Sequence, residues 1–403
     1  MRRGSDSGFS VIELCVATII FSIVVVGVLG LFDTAGKFNK SELQASEMQQ
    51  SLRAVLLEIE RNVRMAGVGD LPVSQSVIVA DPVTGTSYNN VPSGFGFSDW
   101  AGGPVHPVRP GTDVIEIRGV IRSPLFALTS AGCFPCVGAT DTVVIPAVSP
   151  YGVANNSAAE FQTLQSVLGS GGQHLFVVSS QHPDTSVGGT LHNVGMAGAI
   201  TIDTVPAQAR VVMNFTDSSA LKFNGSVPYA GSAAIPLDTN IRGGILDDIV
   251  YFIDNTRTSH PALCMGLLKG VNPRTFQFFP ISEEIEDLQV AYGVDGLDGT
   301  APEGSVQDLY SPLAGKDEWA ANVAGEPALT YASLFAAATG PRLRAILLAV
   351  VSKAAQSDVA YKGRPFASGI FPLDSAASPA SSQATNRKAI AMRVNLRNFN
   401  GGS

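Results

Sequence analysis

The sequence predicts an α+β protein in which one long N-terminal helix, first membrane-spanning and then amphipathic, packs on a large antiparallel β-rich head. Three observations carry this expectation. Residues 14 to 32, LCVATIIFSIVVVGVLGLF, contain no charged side chain. Between residues 43 and 63 apolar residues recur at intervals of three or four, the period of one helix face. After residue 66 the chain breaks into short apolar runs separated by clusters of Gly, Pro, Asn and Ser, the pattern of strands and turns.

With 403 residues and a hydrophobic fraction of 45%, the chain can build one large domain or two ordinary ones. Its 41 Gly and 24 Pro, against only 15% charged residues, suit a body of many short strands. The formal net charge of -8 argues against a sequence-independent grip on nucleic acid, which needs a basic face to displace counterions. No nucleic-acid partner is expected.

At a rise of 1.5 Å per residue the uncharged run spans about 28 Å, close to the hydrocarbon thickness of a bilayer. Arg2 and Arg3 in the leader MRRGSDSG favour the cytoplasmic side, which places the bulk of the chain across the membrane. Glu13 is the odd residue. A carboxylate at mid-bilayer costs roughly 2.5 to 3.5 kcal/mol on insertion scales, and intramembrane carboxylates generally have a partner. Neither a cleaved secretory signal nor a plain anchor accounts for it.

The next segment, residues 33 to 67, continues the helix. Leu43, Leu52, Val55, Leu56, Ile59 and Val63 form its apolar face, with Glu58, Glu60, Arg61 and Arg64 on the others. Gly27, Gly30 and Gly36 are its weak points. From near residue 10 to residue 66 the helix would run about 80 Å, and Gly67, Gly69 and Pro72 stop it. Strand-like runs follow at 112 to 120, 141 to 147, 174 to 180, 209 to 215, 248 to 254, 275 to 280 and 342 to 352. The Gly-, Ser- and Ala-rich stretches at 152 to 172, 216 to 234, 299 to 330 and 375 to 385 read as long loops, and residues 121 to 240 as a candidate second lobe.

The head shows little sign of chemistry. Cys15 lies in the membrane segment as a small apolar residue. Cys133, Cys136 and Cys264 would face an oxidising compartment, with a structural bridge either from Cys133 to Cys136 or from one of these to Cys264. CFPC at 133 to 136 lacks the helix that redox chemistry requires after such a pair, since a turn and a strand follow. None of His106, His174, His182, His192 and His260 has zinc spacing, and no nucleophile elbow, phosphate loop or H-E-x-x-H is present. No cofactor, metal or catalytic residue is therefore expected. DGLDG offers Asp295 and Asp298 as a weak calcium candidate against the alternative of a hairpin turn, and SEEIED at 282 to 287 reads as a solvated strand edge. Trp100 and Trp319 read as core aromatics.

One signature is more specific. A short basic leader ends in Gly8, followed by Phe9, Glu13 and the long apolar run. This resembles the class III signal of type IV prepilins and of type II secretion pseudopilins. The resemblance implies that a prepilin peptidase cuts between Gly8 and Phe9 and methylates the new Phe9 amine, and that the apolar helix is retained. It also implies that Glu13 pairs with the N-terminal amine of a neighbouring subunit in a filament. Electrostatics favours such a pair independently, because two buried opposite charges neutralise each other and a lone one is costly.

Five further patches resemble PilW-type minor pilins and occur in the same order along the chain. They are EIERNVRMAGVG (58 to 69), GTDVIEIRG (111 to 119), EEIEDLQVAYGVDGLDG (283 to 299), RLRAILLAVVSKA (342 to 354) and AMRVNLRN (391 to 398). The domain reading that follows is a leader at 1 to 8, a membrane or filament-core helix at 9 to 33, its amphipathic continuation at 34 to 66, and a β-rich head at 67 to 403. What the resemblance implies is a pilin-like minor pilin, structural rather than enzymatic. Its partners would be other minor pilins and the major pilin, the prepilin peptidase, the inner-membrane assembly platform and membrane lipid. It would begin as a single-pass inner-membrane protein with a periplasmic head and end in a surface pilus, at its tip or in an initiation complex. The alternatives are a type II secretion minor pseudopilin and, from another class, a single-pass anchored binding module or adhesin.

Overall fold

The computed structural model describes residues 10–69, 71, 76–128, 141–146, 164–168, 174–181, 190–204, 207–214, 241–258, 260–271, 273–296, 306, 318–320, 342–353 and 387–396. The chain divides into two units, Met1–Gln50 and Ser51–Ser403.

Helix α1 runs unbroken over Val11–Arg64. In the first unit it passes through Gly27, Gly30 and Gly36 without interruption, and a Cβ at any of the three would meet nothing within 4 Å. Leu43, expected on the apolar face, is exposed. In the second unit the expectation holds: Leu52, Val55, Leu56, Ile59 and Val63 are all buried. Gly67 and Gly69 then take φ of 79° and 98°, a left-handed conformation that turns the chain out of the helix at little steric cost. The Gly67 N–H is satisfied by the Arg118 carbonyl at 3.0 Å.

The strands, in chain order, are β1 (Val77–Ile78), β2 (Gly96–Ser98), β3 (Val105–Pro107), β4 (Ile115–Gly119), β5 (Phe126–Ala127), β6 (Asp141–Pro146), β7 (His174–Gln181), β8 (Thr190–Thr204), β9 (Ala207–Asn214), β10 (Ile241–Asp254), β11 (Ala262–Val271), β12 (Arg274–Glu283), β13 (Ile285–Asp295), β14 (Trp319–Ala320), β15 (Arg342–Lys353) and β16 (Arg387–Asn395). A large antiparallel sheet has the path β1-β4-β10-β7-β8-β9-β6, with β11 and β5 also on β10 and β12 on β11. A four-stranded sheet has the order β14-β13-β15-β16, and β2 pairs with β3 in a separate hairpin.

Strand β10 is the spine. Its residues Ile241 to Leu246 pair with β7, whereas Asp247 to Tyr251 pair with β4 and Ile249 to Asp254 with β11. The strands of the region 121 to 240 are thereby joined to the same sheet that carries β4 and β11. Loops expected at 216 to 234 and 375 to 385, and nearly all of those at 152 to 172 and 299 to 330, lie outside the described residues.

Alternation along β4 and β10 sorts their side chains into two environments. Ile115, Ile117, Ile249, Tyr251 and Ile253 join the helix residues and the inner face of β13 and β15 in one apolar core. The opposite face, carrying Val250 and Phe252, is covered by Tyr88, Val91, Phe97 and Val108 from the segment between β1 and β4. Phe97 sits at the centre of that second core, 5.1 Å from the Phe252 ring and 5.3 Å from Phe276, in the tilted and edge-on arrangements that aromatic quadrupoles favour.

One expectation fails here. Within SEEIED, Glu286 and Asp287 are buried rather than solvated. Every residue of β13 is buried, and Glu286 is paired with Arg387 of β16 while Asp287 accepts from the Gln289 amide at 2.9 Å. The acidic run fixed attention on charge, but the strand's position decides burial.

Candidate functional site

The N-terminal part of α1 presents an apolar surface all round. Val11, Ile12, Leu14, Ile19, Ile20, Phe21, Ile23 and Val24 are all exposed, and none of this apolar stretch is buried. The helix is long and apolar enough to cross a membrane. Its few hydroxyls are satisfied internally: Thr18 donates to the Leu14 carbonyl and Ser22 to the Thr18 carbonyl, each at 2.7 Å. Such back-bonding lets a polar side chain sit in an apolar medium without an unmet donor.

Glu13 is one turn into this surface. Its Oε2 accepts the Ser10 N–H at 3.0 Å, while Ser10 Oγ accepts the Ile12 N–H at 3.3 Å. Glu13 thus supplies one half of a capping box, while the Ser10 hydroxyl caps the Ile12 amide instead of that of Glu13. The carboxylate also lies in the first turn, where the helix dipole favours negative charge. The S-x-x-E spacing that signals this cap was present in the sequence and was overshadowed by the apolar run. Gly8 and Phe9 lie outside the described residues.

In the head, Asp295 is fully buried and accepts from Arg344 Nε at 3.3 Å, and Asp298 lies outside the described residues. Gly296 next to it has φ of 85° and donates its N–H to Glu318 Oε1 at 2.9 Å, as a residue in a tight turn does. Cys264 is a buried free thiol on β11, and Cys15 is free and exposed. Burial first, then the Asp254 charge, pushes the Cys264 thiol up to about 12, so it is no nucleophile. Cys133 and Cys136 lie outside the described residues. Among the described residues no group of three or more His, Cys, Asp or Glu is placed to hold a metal ion. Trp319 is buried as expected, whereas Trp100 is 56% exposed.

Two polar clusters escaped the sequence reading. In the first, Arg118 on β4 donates to Glu116 Oε1 at 2.8 Å and to Asp248 Oδ2 at 3.0 Å. Arg274 of β12 meets Glu116 at 2.6 Å, Asp248 at 3.2 Å and Asp81 at 3.2 Å. The Tyr88 hydroxyl donates to Glu116 Oε2 at 2.6 Å. Burial drives the Tyr88 hydroxyl well above its ordinary value and, against the pull of Arg274, raises Glu116. This network ties the segment around Asp81 and Tyr88 to three strands.

In the second, His106 on β3 lies between two carboxylates, with Nδ1 3.1 Å from Asp254 Oδ2 and Nε2 3.2 Å from Asp99 Oδ2. Partial burial lowers the imidazole pKa, but hydrogen bonds to Asp254 and Asp99 and then their charges outweigh it, holding it above 6.5.

Among the described residues singled out by the sequence, Glu13, Cys15 and Trp100 are exposed, and Glu13 is the charged one within the apolar surface of the helix. Compared with family models, with characterised proteins and with solved structures, the chain matches none.

Proposed function

We propose that the protein is a filament subunit of the type IV pilin class, a PilW-like minor pilin that is structural rather than catalytic. The observation that carries this reading is the spacing of Gly8, Phe9 and Glu13 ahead of an apolar helix that the chain itself leaves uncovered. An apolar surface of that extent needs a bilayer or other helices around it. Processing between Gly8 and Phe9 would create an amine about one helical turn from Glu13, and a neighbouring subunit's amine would neutralise that carboxylate in the filament. Because a lone buried charge typically costs about 3 to 5 kcal/mol, the pair selects the correct axial register over a slipped one. A head of more than 300 residues would crowd successive positions along a shaft, which favours a tip or initiation complex built with other minor pilins.

Mass spectrometry of the protein purified from membranes tests the class. A chain beginning at methylated Phe9 supports it; an intact Met1 or a start near residue 35 overturns it. Type II secretion pseudopilins share this N-terminal chemistry, so presence in sheared surface filaments distinguishes the two.

A further inference from the structure

We infer that the β2–β3 hairpin is a proton-operated clasp, in which the His106 imidazolium bridges Asp99 and Asp254 and loss of its proton releases the Asp99 end of the hairpin together with Trp100. The inference stands apart from the pilin reading and does not depend on it.

The geometry requires two donors. Both ring nitrogens of His106 lie within hydrogen-bond distance of carboxylate oxygens, at 3.1 and 3.2 Å. A neutral imidazole has one N–H and one lone pair, and its lone pair would face an ionised carboxylate that has no proton to give. Only the imidazolium satisfies both contacts. Its net preference for the charged form agrees with the direction of its pKa shift.

The groups facing His106 come from four elements. Asp99 follows β2, Asp254 ends β10, and Phe278 of β12 lies under the imidazole with ring centroids 4.4 Å apart. Cys264 of β11 reaches Asp254 Oδ2 at 3.9 Å. Of the two carboxylates, Asp254 is the fixed one, because its Oδ1 also accepts from the Thr256 N–H at 2.8 Å and the Thr256 hydroxyl at 2.6 Å. Asp99 lies in the hairpin turn, 27% exposed. When the proton leaves, the Asp99 contact is therefore the one that breaks.

Trp100 follows Asp99 directly and is 56% exposed, its ring lying so close over Gly103 that a Cβ there would meet it at 2.6 Å. The Gly103 N–H also donates to the Trp100 carbonyl at 2.8 Å, which links the ring-bearing residue to the far side of the turn. Backbone pairing of Phe97 with His106 and the burial of Phe97 keep the base of the hairpin in place, so the release is confined to its tip.

The test uses the full chain in detergent micelles with Trp319→Phe, which leaves Trp100 as the only tryptophan. Acrylamide quenching of Trp100 is followed between about pH 5.5 and 9, alongside the His106 ring resonances identified by their loss in His106→Gln. The expected result is that quenching rises with the same midpoint as His106 and that this midpoint lies above 6.5. Asp99→Asn should abolish the quenching transition and lower the His106 midpoint while leaving a single Asp254 partner. Quenching that stays flat while His106 titrates, or a midpoint at or below 6.5, overturns the inference. If Trp319→Phe does not fold, the difference between the native chain and Trp100→Phe reads the same signal.

Discussion

Asn62 on the last turns of α1 donates its amide to the Tyr251 hydroxyl on β10 at 2.5 Å, inside an interface otherwise built from Leu, Ile and Val. A second bond at 3.1 Å runs from the same amide to Glu58 Oε1. Apolar contacts tolerate sliding, whereas a directional bond between two buried polar groups is satisfied at one rotation and one height of the helix. Tyr251→Phe should therefore lower stability by about 1 to 2 kcal/mol, read by denaturant unfolding in micelles, and Asn62→Leu by a similar amount. The double variant should cost less than the sum of the two, because neither partner is then left stranded. Strict additivity would show that the bond does not act as a unit.

A buried acid gives the head a pH dependence of its own. Asp287 on β13 is held up to about 7 by burial, with the Gln289 hydrogen bond and then the Arg109 charge pulling it back and Glu286 pushing it up. The folded pKa lies above the unfolded value near 3.8, so the stabilising protonated form is fully present below about pH 4 and is lost as pH rises towards 7. Asp287→Asn should match the native chain near pH 4 and exceed it above pH 7, by up to roughly 4 kcal/mol. Thermal unfolding at the two pH values checks this, and equal midpoint shifts at both would contradict it.

The helix cap seen at Glu13 and the charge pair proposed for it can be separated by substitution. Glu13→Gln keeps an acceptor for the Ser10 N–H, since Gln serves in a capping box as Glu does, but removes the charge. It should insert into membranes normally and fail to enter filaments. Glu13→Ala should fail equally in assembly and also lose about 0.3 to 1 kcal/mol of helix-start stability, the usual worth of a first-turn carboxylate. Native levels of the Gln variant in sheared filaments would refute the charge-pair role.

Arg118 holds two buried carboxylates at once. Arg118→Met should cost about 3 to 5 kcal/mol, because Glu116 and Asp248 then share the single charge of Arg274, with the neutral Tyr88 hydroxyl still on Glu116. Loss of near-ultraviolet dichroism at physiological temperature is the expected reading. A variant as stable as the native chain would show that Arg274 alone suffices.

The long helix and seven of the sixteen described strands, β4, β6, β7, β9, β10, β12 and β15, were legible because they rest on local periodicity. Leu52 to Val63 repeat at helical spacing, DTVVIP is dense in β-branched residues, and HLFVVSSQ opens on an apolar Leu-Phe-Val-Val run. Strands β11 and β8 were harder to read: ALCMGLLKGV and TLHNVGMAGAITIDT are interrupted by Gly and Ala, whose strand preference is low, and pairing with neighbours overrides it. Leu43 fits the helical repeat yet stays exposed, since a pattern shows which face is apolar and not how far along the helix a partner extends. Of the candidate site, Glu13 was visible as a lone charge, but its Ser10 partner needed the cap to be seen. The His106 clasp was beyond reach, because its two carboxylates are 7 and 148 residues away in sequence and only the fold brings them together.

The division of labour along β10 has a consequence for how this head can change. Residues 241 to 246 hold the strands β7, β8, β9 and β6, and residues 247 to 254 hold β4 and β11 beside the helix core. The two stretches share one strand yet no strand partner, but the seam between them is packed, because Leu175 and Val177 of β7 and Leu246 lie against Leu71, Val120 and Val271. A wing of different sequence would therefore have to present the same apolar side chains at that seam for the half that seats α1 to keep its packing.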